Sequence, residues 1–220
     1  MFEAIPVIAI DGPSASGKGS VAEKVADHLG FHYLDSGALY RVVAFAAYRN
    51  NIEWNQADAL GVLAKNLAIV FKHGDIFLDD DRITEAVRSE EISRGASEVA
   101  IHQPVRLALL QLQQNFRQAP GLVADGRDMA SVVFKDAGVK IFLTASTEIR
   151  AQRRYAQLVA RGLSASYDQI FHDLTQRDGR DSQRSIAPLL QTSDAILLDT
   201  NQRSIEEAVN FVVEEYQKRH

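Results

Sequence analysis

Short apolar runs alternate with amphipathic stretches along most of the chain. Five of these runs have the length and composition of buried β-strands: Val7–Asp11, Phe31–Asp35, Leu122–Asp125, Val139–Thr144 and Ala195–Asp199. The stretches between them have the period of helices. Because strands that alternate with helices form parallel sheets with helices on both faces, the pattern predicts an α/β fold with a five-stranded parallel sheet.

The helices carry their own start and stop signals. Gly17–Leu29 is followed by Gly30, which is a typical residue just past a helix end. Leu39–Arg49 places apolar residues on one face. Ser204 and Glu207 have the spacing of a capping box that opens the last helix. Two further helices are predicted near Arg88–Ile101 and Pro104–Gln118.

One region departs from the strand–helix alternation. Ala68–Lys72 and Ile76–Leu78 are apolar and flank the turn signal His73–Asp75, so they predict a β-hairpin. Arg82–Ile83 is a candidate third strand. We therefore expect a small antiparallel β insertion, from about residue 68 to 93, in an otherwise single domain spanning 1–220.

Composition excludes several classes of protein. The 220 residues include no cysteine, which removes disulfide scaffolds, thiolate zinc sites and cysteine nucleophiles. The longest stretch without a charged residue, Leu107–Phe116, has ten residues, whereas a membrane span needs about 18. Met1–Ile5 lacks the basic segment of a secretory signal. We expect no membrane association and a cytoplasmic location.

Charge is distributed unevenly. Residues Arg150–Arg184 include seven arginines and four aspartates, a net charge of +3, whereas the whole chain carries −5. A basic segment in an acidic protein favours a local anion site over a surface that binds nucleic acid. A solvated helix with internal ion pairs is the alternative interpretation.

The strongest chemical signal lies between the first strand and the first helix. It consists of nine residues: Gly12, Pro13, Ser14, Ala15, Ser16, Gly17, Lys18, Gly19 and Ser20. Glycines let backbone N–H groups surround phosphate oxygens, and Lys18 can reach the β- and γ-phosphates of a nucleotide. The general motif has Ser or Thr, a magnesium ligand, directly after the lysine. Here Gly19 takes that place, and the hydroxyl follows at Ser20.

Two further clusters follow predicted strands, where ligands of parallel sheets bind. In the first, Asp35–Gly37 predicts a turn with Arg41 shortly after it; a capped helix start with an exposed Arg41 is the alternative. In the second, three apolar residues lead into Asp125, a pattern that resembles a strand ending in a carboxylate that helps to organise Mg²⁺. Arg127 can grip a phosphate, and Asp128 can accept a hydrogen bond from the exocyclic amine of cytosine. A tight acidic turn is the alternative there.

The third cluster, Arg177–Arg184, alternates arginine and aspartate. Mobile arginines can close on a phosphoryl group during its transfer and expel water, and Arg153 and Arg154 on the preceding helix could join them. An exposed, self-paired loop is the alternative.

Together the four motifs resemble those of the bacterial cytidylate kinases, a family of nucleoside monophosphate kinases. They are Gly-Pro-Ser-x-Ser-Gly-Lys-Gly-Ser, Asp-Ser-Gly-Ala-Leu-Tyr-Arg, Ala-Asp-Gly-Arg-Asp and Arg-Asp-x-Arg-Asp. The resemblance covers nearly the whole chain. It implies a P-loop kinase that transfers the γ-phosphoryl group of ATP to CMP or dCMP, uses Mg²⁺ and is a monomer.

The resemblance also implies roles for individual residues. The catalytic candidates are Lys18, Arg127, Arg177 and Arg180, and the ATP-binding candidates are Gly12–Ser20 and Arg153. The CMP-binding candidates are Ser36, Arg41, Ser97, Arg106, Arg127, Asp128, Arg177, Asp181 and Arg184. The β insertion would belong to the CMP site, and an arginine-rich helical lid would span about 150–184. No residue is firmly assigned to Mg²⁺, which the phosphates and water would hold, with Ser20 as a candidate ligand.

Two other classes of function remain open from the residues alone. Another small-molecule P-loop kinase would share the phosphate loop, although an adenylate kinase with a zinc lid would need thiolates. A non-catalytic nucleotide sensor would not need the arginine cluster. A translation-type GTPase would carry an Asn-Lys-x-Asp motif, which does not occur in the sequence.

Overall fold

A computed structural model describes residues 5–72 and 74–219. Predictions that involve Met1–Ala4 and His73 therefore lie outside the described residues. The chain forms two compact units. Of the described residues, 5–34 and 116–219 form the sheet unit, and 35–72 and 74–115 form the helical unit.

The elements of the described residues follow in this order: β1 (Val7–Asp11), α1 (Lys18–Leu29), β2 (His32–Asp35), α2 (Ser36–Arg49), α3 (Ala57–Lys65), β3 (Ile69–Lys72), β4 (Asp75–Leu78), β5 (Asp81–Arg82), α4 (Glu90–Val99), α5 (Gln103–Gln114), β6 (Leu122–Gly126), β7 (Val139–Thr144), α6 (Thr147–Ala160), α7 (Tyr167–Gln183), β8 (Ile196–Asp199) and α8 (Ile205–Gln217). A 3₁₀ turn at Ala86–Arg88 precedes α4, and a π-helical turn at Met129–Val133 follows β6.

The five predicted strands form one parallel sheet in the order β2-β6-β1-β7-β8, which confirms the predicted fold class. β1 is central, and its residues pair with β6 on one side and with β7 on the other. Every residue of β1 and β6 is buried. Because β1 and β6 are buried throughout, their sequences are apolar up to Asp11 and Asp125, which lie at the carboxyl ends of the two strands.

The sheet is covered by α1 and α8, which pack against each other and share one hydrophobic core with β1, β6 and β7. Ser204 accepts a hydrogen bond from the Glu207 N–H while Glu207 accepts one from the Ser204 N–H, so the predicted capping box is confirmed. None of the helices within the described residues is long and apolar enough to cross a membrane.

Two boundaries in the β2 region differ from the predictions. The Phe31 N–H donates to the Ala26 carbonyl at 2.9 Å and completes the end of α1, so β2 begins at His32. Asp35 Oδ1 accepts from the Ala38 N–H at 2.9 Å and caps α2. The turn predicted at Asp35–Gly37 is therefore the first turn of a helix, which begins at Ser36.

The helical unit contains α2–α5 and the small sheet. The predicted hairpin is confirmed as β3 and β4, and β5 adds a third antiparallel strand, one residue earlier than predicted. Sequence reasoning missed α3, which contains Gly61 in its middle turn. A Cβ at Gly61 would lie 2.4 Å from Pro104 Cβ, so the glycine permits close packing of α3 on α5.

The remaining helices shift by a few residues from their predicted limits. α4 begins at Glu90 because the Ser89 side chain accepts from the Ile92 N–H. α5 ends at Gln114 rather than Gln118. The arginine–aspartate cluster is helical through Gln183 and forms the end of α7, so the alternative of an exposed loop is wrong.

Candidate active site

The phosphate-binding loop joins β1 to α1, as predicted. A Cβ at Gly12 would lie 2.0 Å from the Leu143 carbonyl oxygen, so no other residue fits beside β7 without a shift. Gly17 has φ +94° and precedes the helix, which starts at Lys18. Ala15 also adopts positive φ, at +59°. The loop thus leads directly into the first turn of α1, whose first N–H groups have no partners within the helix and suit an anion.

Side chains from α6 and from the end of β8 hold this loop in place. Arg150 is almost fully buried and donates to the Ser14 carbonyl at 3.1 Å. Arg153 donates to the Ser16 carbonyl at 3.2 Å and also to the Thr200 side chain at 3.1 Å. The Thr200 hydroxyl in turn lies 3.2 Å from the Ser16 carbonyl. Two backbone carbonyls of the loop, those of Ser14 and Ser16, are therefore held by side chains that lie far from the loop in sequence.

Arg127 connects the loop to the arginine-rich helix. Its Nη2 donates to Ser14 Oγ at 2.7 Å, and its Nε donates to Asp181 Oδ2 at 2.8 Å. Burial alone would raise the pKa of Asp181, but the charges of Arg127, Arg177 and Arg184 outweigh it and hold the pKa below its ordinary value. Asp181 is therefore an anion that holds the guanidinium of Arg127 next to the phosphate loop.

The end of α7 presents several predicted site residues on one helical face, because positions 177, 180, 181 and 184 are three or four residues apart. Arg184 Nη2 lies 3.9 Å from Asp128 Oδ1, and both side chains are buried. Arg150 of α6 pairs with Asp178 at 2.6 Å and links the two helices. The sheet unit thus brings Arg127, Arg177 and Arg184 close to Asp181, and Arg184 also close to Asp128.

Two acidic residues lie at the carboxyl ends of neighbouring strands. Asp125 Oδ2 accepts a 2.6 Å hydrogen bond from the Tyr33 hydroxyl, and it would lie 3.6 Å from a Cβ at Gly19. Asp11 accepts from the Met129 and Ala130 N–H groups, each at 2.8 Å. Burial raises the pKa of Asp11 to about 7, although these two hydrogen bonds act in the opposite direction.

The other predicted CMP-binding residues belong to the helical unit. Ser36 and Ser97 are buried, in α2 and α4. Arg41 donates to Asp35 Oδ2 at 2.6 Å, so the capped helix start that was the alternative here is observed, with Arg41 paired rather than merely exposed. Arg106 donates to the Ala100 carbonyl at 3.1 Å, and its guanidinium lies 5.7 Å from the centre of the Tyr40 ring.

Sequence reasoning missed several residues that shape the site. Thr200 follows the predicted strand that ends at Asp199, and this position at a strand end was the available signal. Arg150 lies in the segment with excess positive charge, but nothing in its spacing indicates a contact with Ser14. Tyr33 lies within a predicted strand, and the sequence carries no signal for its bond to Asp125.

The fold and the loop define a P-loop kinase: a parallel sheet whose central strand runs into a glycine-containing phosphate loop and a helix. The structure resembles that of a gluconokinase from Sinorhizobium meliloti 1021, with a TM-score of 0.51, 14% identity, and coverage of 98% of this chain and 94% of that chain. At this identity the likeness concerns the fold alone.

Sequence comparison identifies the family. The cytidylate kinase family model matches residues 8–218. The cytidylate kinase of Polynucleobacter asymbioticus is 56% identical over 216 residues, which cover 98% of each chain. That of Cupriavidus necator is 53% identical over 210 residues, covering 96% of this chain and 95% of the relative. The chain belongs to the cytidylate kinase family, and the resemblance inferred from its motifs is confirmed.

Proposed function

We propose that the sheet unit binds ATP on the phosphate loop and that the residues around Arg127 guide its γ-phosphoryl group to CMP or dCMP. The reaction is that of the chain's family. The carrying observation is the position of Arg127, which donates both to Ser14 within the loop and to Asp181 on α7. One guanidinium thereby joins the donor-phosphate loop to the segment assigned to the acceptor.

On the ATP side, the N–H groups of Gly12–Ser20 surround the phosphates and Lys18 adds a positive charge. The Lys18 ammonium lies 3.4 Å from the Pro13 carbonyl, within the loop that it would serve. Arg153 supports this site through the Ser16 carbonyl. Arg153 would therefore hold the loop as well as neutralise phosphate charge.

On the CMP side, the assignments follow the resemblance residue by residue. In the sheet unit, Arg127 and Arg184 hold the phosphate, Asp128 accepts from the cytosine amine, and Arg177 and Asp181 reach the ribose. Within the helical unit, the same resemblance assigns Ser36, Arg41, Ser97 and Arg106 to CMP binding. The ion pairs of Arg127 with Asp181 and of Arg41 with Asp35 support these roles, because each keeps a guanidinium oriented before an anion arrives.

Transfer needs no general base, because the phosphate monoester of CMP is itself the nucleophile. Catalysis then consists of placing two anions in line and neutralising their repulsion. Lys18, Arg127, Arg177 and Arg180 supply positive charge around the transferred group. The segment of about 150–184 is proposed as the lid that excludes water, and about 68–93 as the insertion that belongs to the CMP site.

A divalent metal accompanies ATP in this chemistry, and we propose that it is Mg²⁺. The residues present fit this ion, since carboxylate and hydroxyl oxygens are its preferred protein ligands. Asp125 lies beside the backbone of Gly19, where the absence of a side chain leaves space, and Ser20 follows it. Asp125, through water, and Ser20 would hold the ion, which neutralises phosphate charge when bound.

The proposal is tested by ADP formation from ATP and Mg²⁺ with CMP, dCMP, UMP, AMP, GMP or shikimate as acceptor. We expect turnover with CMP and dCMP. Activity with a different acceptor would indicate another small-molecule kinase. Tight ATP binding with no turnover would indicate a nucleotide sensor. A monomer in the cytoplasm remains the expected state, which sedimentation and localisation would test.

Lys18→Ala should lower kcat by at least about a hundredfold, because it removes a charge placed at the transferred phosphoryl group. Lys24→Ala is the matched control, because Lys24 is an exposed lysine on the same helix. It should retain wild-type constants. Wild-type turnover by Lys18→Ala would contradict the assignment of the loop.

A further inference from the structure

Asp11 is a buried carboxylate with no role in the reaction described above. It ends β1, directly before the phosphate loop, and is 2% exposed. Its register partner on β6 is Gly126. Its two oxygens accept separate hydrogen bonds from the Met129 and Ala130 N–H groups, both at 2.8 Å. A single side chain on β1 therefore binds the segment that follows β6 at two points.

The segment bound in this way is the π-helical turn Met129–Val133. The first N–H groups of a helical turn have no partner within the turn. Asp11 supplies acceptors for two of them. The turn closes behind this contact, since the Val132 and Val133 N–H groups both donate to the Asp128 carbonyl, at 2.9 and 3.2 Å. Asp128 thus lies at the junction that Asp11 fixes, and Arg127 immediately precedes it.

We propose that Asp11 is a positioning residue that sets Arg127 and Asp128 in the orientation needed to bind CMP. The proposal rests on the proposed function, which assigns those two residues to the acceptor. Arg127 has its own anchors at Ser14 and Asp181, which fix the end of its side chain. Its backbone, and that of Asp128, are held by the turn. Asp11 therefore acts through the main chain and touches neither nucleotide.

A carboxylate is suited to this position in a way that its amide is not. Two N–H donors point at Asp11, and a carboxylate offers both of its oxygens as acceptors. An asparagine offers one oxygen, and its NH₂ group would face the second donor. The asparagine side chain has the same shape as the aspartate side chain, so Asp11→Asn changes only this hydrogen-bond pairing. The turn must then move away at one of its two attachment points.

The test measures kinetic constants for both substrates in wild type and in Asp11→Asn. A displacement of about 1 Å in a positioning element lowers efficiency by about a hundredfold. We expect KM for CMP to rise, and kcat/KM for CMP to fall, about ten- to a hundredfold, while KM for ATP stays within about twofold, because the N–H groups of the loop are unchanged. A variant that was only partly folded would lower kcat and leave both KM values as they are.

Asp194→Asn is the matched control, since Asp194 is a carboxylate of the same unit that pairs with Lys140. It should keep wild-type constants. If Asp11→Asn does not fold, Asp11→Ser, which is smaller and retains one acceptor, should show the same selective loss. Wild-type constants for CMP in either folded Asp11 variant would overturn the proposal. A wild-type enzyme that does not phosphorylate CMP would instead contradict the proposed function.

Discussion

Replacing Asp11 with asparagine should change the way in which stability depends on pH. Burial raises the pKa of Asp11 to about 7 in the folded chain, from an ordinary value of 3.8. Between these two values the folded chain keeps a proton that the unfolded chain releases. The contribution of this group to the free energy of unfolding is therefore fully present below the unfolded pKa and is lost as the pH rises through the folded pKa.

The size of the effect follows from the two pKa values. A pKa change of one corresponds to about 1.4 kcal/mol, so the whole window corresponds to about 4 kcal/mol. From about pH 5 to about pH 8 the loss amounts to about 3 kcal/mol, because part of the window lies below this range. Asparagine does not titrate. The free energy of unfolding of Asp11→Asn, minus that of the wild type, should therefore grow by about 3 kcal/mol over this range.

Urea unfolding followed by circular dichroism at several pH values measures this difference directly. Asp194→Asn is again the control. The hydrogen bond from Lys140 holds the pKa of Asp194 below its ordinary value, so its stability contribution is lost only as the pH falls into the acid range. The free energy of unfolding of Asp194→Asn, minus that of the wild type, should stay constant from about pH 5 to about pH 8. A constant difference for Asp11→Asn would refute the burial argument.

Three further changes test the loop, the acceptor contact and the metal. Gly12→Ala should lower the free energy of unfolding by about 3 kcal/mol, because its Cβ would lie 2.0 Å from a backbone oxygen of β7. Gly179→Ala, in α7 with no described atom within 4 Å of the new Cβ, should instead raise it by up to about 1 kcal/mol; equal effects would contradict this. Arg127→Lys should lower kcat/KM for CMP about a hundredfold, because a lysine lacks the two separate nitrogen donors with which the guanidinium binds Ser14 and Asp181. A rise in KM for ATP alone, with kcat/KM for CMP unchanged, would contradict this. Tyr33→Phe removes the donor to Asp125 and should raise the Mg²⁺ concentration needed for half-maximal ATP binding about tenfold, as measured by calorimetry; an unchanged Mg²⁺ requirement would oppose a metal role for Asp125.

The sheet could be predicted because the burial of each strand is visible in its own local sequence. Val7–Asp11 is apolar up to its last residue, and Val139–Thr144 is mostly apolar apart from Lys140 and Thr144, which suits strands of a buried parallel sheet. α3 could not be predicted in the same way, because Gly61 weakens its helical pattern. The reason for that glycine is its contact with Pro104, which is 43 positions away and has no local signature.

The phosphate loop could be predicted because its function depends on consecutive backbone N–H groups. The contacts around it could not, because they join distant parts of the chain. Arg127 and Asp181 are 54 positions apart, and Thr200 and Ser16 are 184 apart. The resemblance named Arg127 and Asp181 without stating that they bind each other. It named neither Thr200 nor Arg150, whose role is to hold the loop's carbonyls rather than a ligand.

Asp11 shows why stability alone does not account for this site. An ionised carboxylate without an ion-pair partner among the described hydrogen bonds is costly to bury, and its raised pKa is the measure of that cost. A neutral side chain would remove the cost near pH 7. Only the carboxylate can accept from both N–H groups of the turn. The free-energy cost of burying it is therefore explained by the need to fix the backbone of Arg127 and Asp128. Asp11→Asn should therefore be at least as stable as the wild type near pH 8 and yet bind CMP less well. A loss of stability together with unchanged CMP binding would show that Asp11 serves the fold and not the site.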